Sequence, residues 1–167
     1  DNWDSGIVLF RDADRNVVRN NTVTGSGDTG IKVHDRRCDD NVVENNTVTG
    51  NTVGIENSGA FSNQNYNNVI RYNVVTGNED WGLRCGETSG TRILDNLISG
   101  NGDNGANGNI YIGLNDAGQR IENNTISNAF GVGLAHGTDN WIANNTFENN
   151  PVAVEMDRDG NELLYNR

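Results

Sequence analysis

The stretch Asn41-Val-Val-Glu-Asn-Asn46-Thr-Val48-Thr-Gly50 repeats an earlier one, Asn16-Val-Val-Arg-Asn-Asn21-Thr-Val23-Thr-Gly25. Looser copies follow at 68–77, 91–100, 119–128, 140–149 and 161–167. Offsets of about 21 to 28 residues between copies are the signature of stacked solenoid coils. One position is the same in all of them: Asn21, Asn46, Asn73, Asn96, Asn124, Asn145 and Asn166. A polar residue kept between inward apolar positions must be satisfied there, and a stack of amides hydrogen-bonding along the axis does so. An internal asparagine ladder at a coil corner is therefore expected.

Each coil divides into three short strands. In the second repeat these are Asn41 to Glu44, Thr47 to Thr49, and Gly54-Ile55-Glu56-Asn57. Period-2 alternation turns Val43, Val48 and Ile55 inward. The same positions in the other coils form three columns: Val18 to Leu163, Val23 to Phe147, and Ile7 to Val154. Their β-branched character suits a pleated, half-buried surface. The expected architecture is an all-β, right-handed parallel β-helix of about seven coils, forming a single domain over 1–167.

Composition agrees. Hydrophobic residues make up 34% of the 167, and there are 21 glycines against one proline. A thin core suffices where each coil buries its neighbour. The net charge of −11 argues against nucleic-acid or anionic-membrane partners. No apolar run reaches the 18 or so residues of a membrane-spanning helix. Cys38 and Cys85 fall two coils apart, about 10 Å at the strand spacing, too far for a disulfide.

The Asn-Asn-Thr-Val/Ile repeat with its Gly-Ile-x-Val strand resembles the right-handed parallel β-helix superfamily. That superfamily includes pectate lyases, polygalacturonases, alginate lyases, mannuronan C5-epimerases and the β-helix proteins of copper-site maturation. The resemblance runs over the whole chain and implies the fold. It also implies an extracellular or cell-surface setting and a polysaccharide groove on a sheet walled by loops. Insertions at 35–40, 58–67 and 101–108 are placed to rim such a sheet. The Asp-Pro-His motif of the epimerases and the paired-Asp, Gly-His-Gly set of the polygalacturonases are absent.

On the Gly-Ile-x-Val strands the outward row reads Val8, Lys32, Glu56, Arg84, Tyr111, Ala135, Glu155. A second outward row, two residues on, includes Phe10, His34 and Ser58. Removing the C5 proton of a uronic acid needs a base, a cation for the carboxylate and an acid for the leaving oxygen. Lys32 or His34 fits the base, Arg84 the carboxylate clamp and Tyr111 the acid, with Glu56, Arg36 and Arg37 as substrate contacts. The same row also reads as a ladder of alternating ion pairs.

Calcium is the one cofactor for which the sequence offers candidates. Asp35, Asp39 and Asp40 share a charged loop, while Asp12-Ala-Asp14 and Asp157-Arg-Asp159 only begin like oxygen-ligand loops. His136 falls at an inward position, and no second histidine near it points to zinc. The chain starts on one strand and stops inside a corner without a capping helix. An excerpt of a longer β-helix is one reading of this. The other is a unit that stacks head to tail as a non-catalytic filament or stalk.

Overall fold

The computed structural model describes residues 2–60, 64–103, 107–113, 115–135 and 137–167. Every strand pairing among them is parallel, and the strands fall into three long sheets and a two-stranded fourth. The first sheet runs from Val17–Arg19 to Glu162–Leu164 and holds seven strands. The second, from Thr22–Thr24 to Thr146–Glu148, holds six. The third, from Ile7–Phe10 to Val152–Glu155, holds seven. Seven strands in a column enclose six turns, so the coil count is about six rather than seven.

The three apolar columns are in the expected register. Val18, Val43, Ile70, Ile93, Ile121, Ile142 and Leu163 pair in order. Ile31, Ile55, Leu83, Ile110 and Leu134 are 0% exposed in the third column. Two further inward positions carry the two thiols: Cys38 and Cys85 are buried and unbridged. One inward position of the third sheet is polar. Asn57, 0% exposed, donates to Thr91 Oγ1 at 3.0 Å and accepts from Asn65 and Asn68 at 3.3 and 3.2 Å.

Corners form because residues that tolerate positive φ recur there. The residue just before the ladder asparagine (Asn20, Asn45, Tyr72, Asp95, Asn123, Asn144 or Tyr165) has φ between 53° and 59° in every coil. Asn and Asp adopt this left-handed conformation most readily among non-glycine residues. At the next corner Gly25, Gly50, Gly77 and Gly100 do so, and Asn128 and Asn149 stand in for glycine in the last two coils. Each bend redirects the chain without a long loop.

The asparagine ladder is continuous. Asn73 illustrates the geometry: its Nδ2 donates to Asn96 Oδ1 at 3.1 Å and to Val43 O at 2.9 Å, while its backbone N–H donates to the same Asn96 Oδ1 at 2.9 Å. Each amide thus ties three consecutive coils. The repeat supports two more stacks that the single invariant position does not announce. Asn16, Asn41 and Asn68 form one, which resumes through Gln119, Asn140 and Asn161. Ser26, Asn51, Asn78, Asn101 and Asn109 form the other.

A buried amide removed from such a stack strands its neighbours. Replacing Asn96 by Leu leaves the buried Asn73 backbone N–H without its partner, a cost of about 1–3 kcal/mol, and takes one further bond each from the Asn73 amide and from Ile70 O. Thermal unfolding should show a large loss of stability for Asn96→Leu. The same change at Asn21, where only one flanking coil depends on the amide, should cost much less.

Candidate functional site

The outer face of the third sheet gathers the candidate residues because every one of its strands keeps its register. Val8, Lys32, Glu56, Arg84, Tyr111, Ala135 and Glu155 are Cα partners on consecutive strands. Phe10, His34, Ser58 and Gly86 pair in the next outward row. Alternation therefore sets Lys32, His34, Glu56 and Ser58 within reach of one another.

These four form a linked polar group. His34 Nδ1 lies 2.8 Å from Ser58 Oγ, and Ser58 Oγ donates to Glu56 Oε1 at 2.6 Å. With the serine proton committed to the carboxylate, Nδ1 is the donor to Ser58, leaving Nε2 as the second nitrogen of the ring. Phe10 stacks against the imidazole at 6.0 Å and 23°. Glu56 points outward yet is buried at 7% exposure, covered by Lys32, Ser58 and Thr29, whose hydroxyl donates to Oε2 at 3.3 Å. Lys32 Nζ donates to Asp28 at 2.8 Å and stands 4.0 Å from Glu56 Oε2. Burial pushes the Asp28 carboxyl up, but the Lys32 hydrogen bond and charge outweigh it and hold the group below its usual value.

Beyond Glu56 the ion ladder stops. Arg84 is the register partner of Glu56 but is exposed, and among the described residues its guanidinium makes no hydrogen bond or ion pair. Two aromatic rings stand beside it: Tyr111 on the next strand and Trp81 at the start of its own, with ring centroids 5.2 Å apart at 48°. Two residues along from Arg84, Gly86 lies opposite Ser58, and a side chain there would meet open space. Along this face the linked polar group is followed by Arg84 and then by the Trp81 and Tyr111 rings.

The charged loop after His34 does not gather into a cation site. Asp35 is turned to Arg11, whose Nε donates to it at 2.6 Å and holds its carboxyl below the usual range. Asp39 Oδ1 accepts from the Tyr66 backbone N–H at 2.8 Å. Asp40 is an exposed corner residue with φ 54°. Asp14 caps the Asp39 backbone N–H at 3.0 Å. Asp35, Asp39 and Asp14 each serve a different neighbour, and among the described residues no three His, Cys, Asp or Glu side chains converge on a point. Asp35, Asp39 and Asp40, the candidates for calcium, therefore form no cation site among the described residues. Arg36 and Arg37 are exposed on the same loop, and His136 lies outside the described residues. So do parts of the second and third insertions, at 61–63 and 104–106.

Two groups escaped sequence reasoning. Ser58 reads as an ordinary strand end, and only its register beside His34 gives it a role. Asp116, 0% exposed, has no flanking signal at all. Its carboxylate accepts from the Thr88 backbone N–H, from Thr88 Oγ1 at 3.1 Å and from the Gly113 backbone N–H at 2.7 Å. Burial still pushes it up to about 6. A cavity of about 580 Å³ lies elsewhere, between Trp3, Gly27, Thr52 and Glu79. Among the described residues Glu79 is its only ionisable wall residue, and they offer neither an acid–base pair nor a cation there.

Asp116 supplies a pH test of this interior. Its folded pKa lies above its ordinary 3.8, so the folded chain binds the proton more tightly than the unfolded one. The stability this contributes is present at low pH and is lost as pH rises through about 6. Carbon-13 titration should place the Asp116 midpoint near 6. Relative to Asp116→Asn, the wild type should lose stability with rising pH in that window. A midpoint near the ordinary value contradicts the assignment.

Two family profiles match the chain. One, described as the right handed beta helix region, matches residues 1–101. The other, described as periplasmic copper-binding protein (NosD), matches residues 56–167. Comparison with curated proteins and with solved structures finds no match.

Proposed function

The chain belongs to the right-handed β-helix family and to the periplasmic copper-binding (NosD) family, and from that premise we propose that it acts outside the cytoplasm, in a periplasmic or extracellular space. Its task in this reading is to bind an acidic polysaccharide lengthwise on the outer face of the third sheet. The observation that carries the reading is Arg84, a cation to which the described residues give no counter-charge in a chain of net charge −11. A uronate carboxylate supplies that charge, while Trp81 and Tyr111 offer faces for a sugar ring.

The finer reading is a lyase- or C5-epimerase-like step. Lys32 is already held by Asp28 and stands 4.0 Å from Glu56, so the base falls to His34 through Nε2. Taking the C5 proton turns its ring into an imidazolium, whose charge the Glu56 carboxylate stabilises through Ser58. Arg84 holds the sugar carboxylate as charge builds on it, and Tyr111 donates to the leaving oxygen. Arg36 and Arg37 extend the cationic contacts along the loop.

Among the described residues copper finds no corresponding set of ligands. The two thiols lie inside the helix, where burial pushes both pKa values up and away from the thiolate a soft metal requires. His34 Nδ1 is engaged by Ser58, on the opposite face of the strand from the interior. The described residues therefore do not fit the metal of the family name. Added copper ions should leave the melting temperature unchanged.

Binding and turnover separate the parts of this proposal. Arg84→Ala should weaken binding of an oligogalacturonate or oligoalginate at least about tenfold by calorimetry, the worth of one charge-assisted contact, without altering the melting temperature. His34→Ala should keep binding and lose formation of unsaturated or epimerised product. Binding without turnover on any polyuronate, with or without calcium, overturns the catalytic step. Absence of binding overturns the whole reading in favour of a structural solenoid.

A further inference from the structure

The first sheet has an outer face that takes no part in the site above, and it carries four arginines: Arg19, Arg71, Arg92 and Arg120. Two are neutralised within the sheet. Arg71 pairs with Glu44 at 2.8 Å, and Arg120 with Glu122 at 2.8 Å. Arg92 is exposed, and among the described residues its guanidinium has no carboxylate partner. Its neighbours in register are Val69 on one side and Arg120 on the other. Two arginines thus stand directly opposite each other on adjacent strands about 4.8 Å apart, an arrangement that by itself destabilises a sheet.

The next residue in the same column is Trp141, 37% exposed. Arg120 lies over its ring at 5.9 Å and is also bonded to Glu122 at 2.8 Å, so its guanidinium is oriented before any ligand arrives. Three consecutive strands therefore present an unpaired cation, an oriented cation and an indole.

We propose that Arg92, Arg120 and Trp141 form a second binding site, for the carboxylate or sulfate group of an acidic sugar whose ring packs on Trp141. An oxyanion accepting from both guanidinium groups gives Arg92 a counter-charge through charge-assisted hydrogen bonds, with Arg120 already oriented beside it. The proposal takes only its ligand class from the polysaccharide reading. The site lies on a different sheet from Arg84, so a molecule occupied on both faces bridges two polymer strands, and its avidity rises with polymer length.

The test follows the Arg Nε–H and Trp Nε1–H signals of the isotope-labelled protein during titration with oligogalacturonate, a sulfated oligosaccharide and a neutral oligosaccharide. Arg92, Arg120 and Trp141 should shift together with at least one acidic ligand and stay still with the neutral one. The two acidic ligands tell a carboxylate site from a sulfate site. Arg92→Ala should weaken these shifts at least about tenfold while circular dichroism and the Arg84 response stay as in the wild type. No shift with either acidic ligand, equal shifts with the neutral one, or shifts unaffected by Arg92→Ala overturn the proposal. A response here without one at Arg84 keeps this site and overturns the binding role of the third sheet. The reverse keeps that role and overturns this site.

Discussion

Hydrogen bonding between identical amides on successive coils is the interaction on which everything else in this chain depends. A β-helix whose residues are only 34% hydrophobic cannot rely on core volume alone. Its corners also leave backbone groups buried that need partners. The ladder meets both needs, because each asparagine satisfies its own amide and a backbone carbonyl of the preceding coil, as Asn124 does with Ile93 O at 2.9 Å. Where a stack fails, another polar group takes over. Thr91 cannot continue the line from Asn68, and Asn57 reaches across the core to bond both.

Strict stacking has a functional consequence. Once register is held at the corners, every outward residue is placed opposite its counterpart one strand away. Surface chemistry then appears as rows. Lys32, Glu56 and Arg84 make one row on the third sheet, and Arg92, Arg120 and Trp141 another on the first. Charge along a row either alternates and cancels, as with Arg71 and Glu44, or is left open, as at Arg84 and Arg92. The open positions are where, in the proposed function, a strongly acidic protein presents local cations to an acidic polymer.

Much of this was legible in the residues themselves. Period-2 alternation between invariant asparagines is enough to place all three apolar columns and the outward row, since one register error would have turned every side chain to the wrong face. The limits are equally physical. Tyr72 and Tyr165 occupy left-handed corners where residue type favours glycine or asparagine, and only the stack around them holds them there. Asp116 was invisible because its three hydrogen bonds come from Thr88 and Gly113, and the bonds from Thr88 span a whole coil. Spacing alone gathered Asp35, Asp39 and Asp40 into a candidate cation site, but direction separates them: Arg11 claims the first and a backbone N–H the second. Ser58 lay in plain view in the outward row, yet its link to His34 and Glu56 depends on rotamers that no pattern encodes.

The most direct test of the account is a crystal structure of the protein with an acidic oligosaccharide of several sugar units. The account predicts density along the outer face of the third sheet, with a sugar carboxylate against the Arg84 guanidinium, a ring beside Trp81 and Tyr111, and a ring carbon facing His34 Nε2. An oligosaccharide seated away from Arg84, or a lattice in which that face stays free of ligand at saturating concentration, would contradict it.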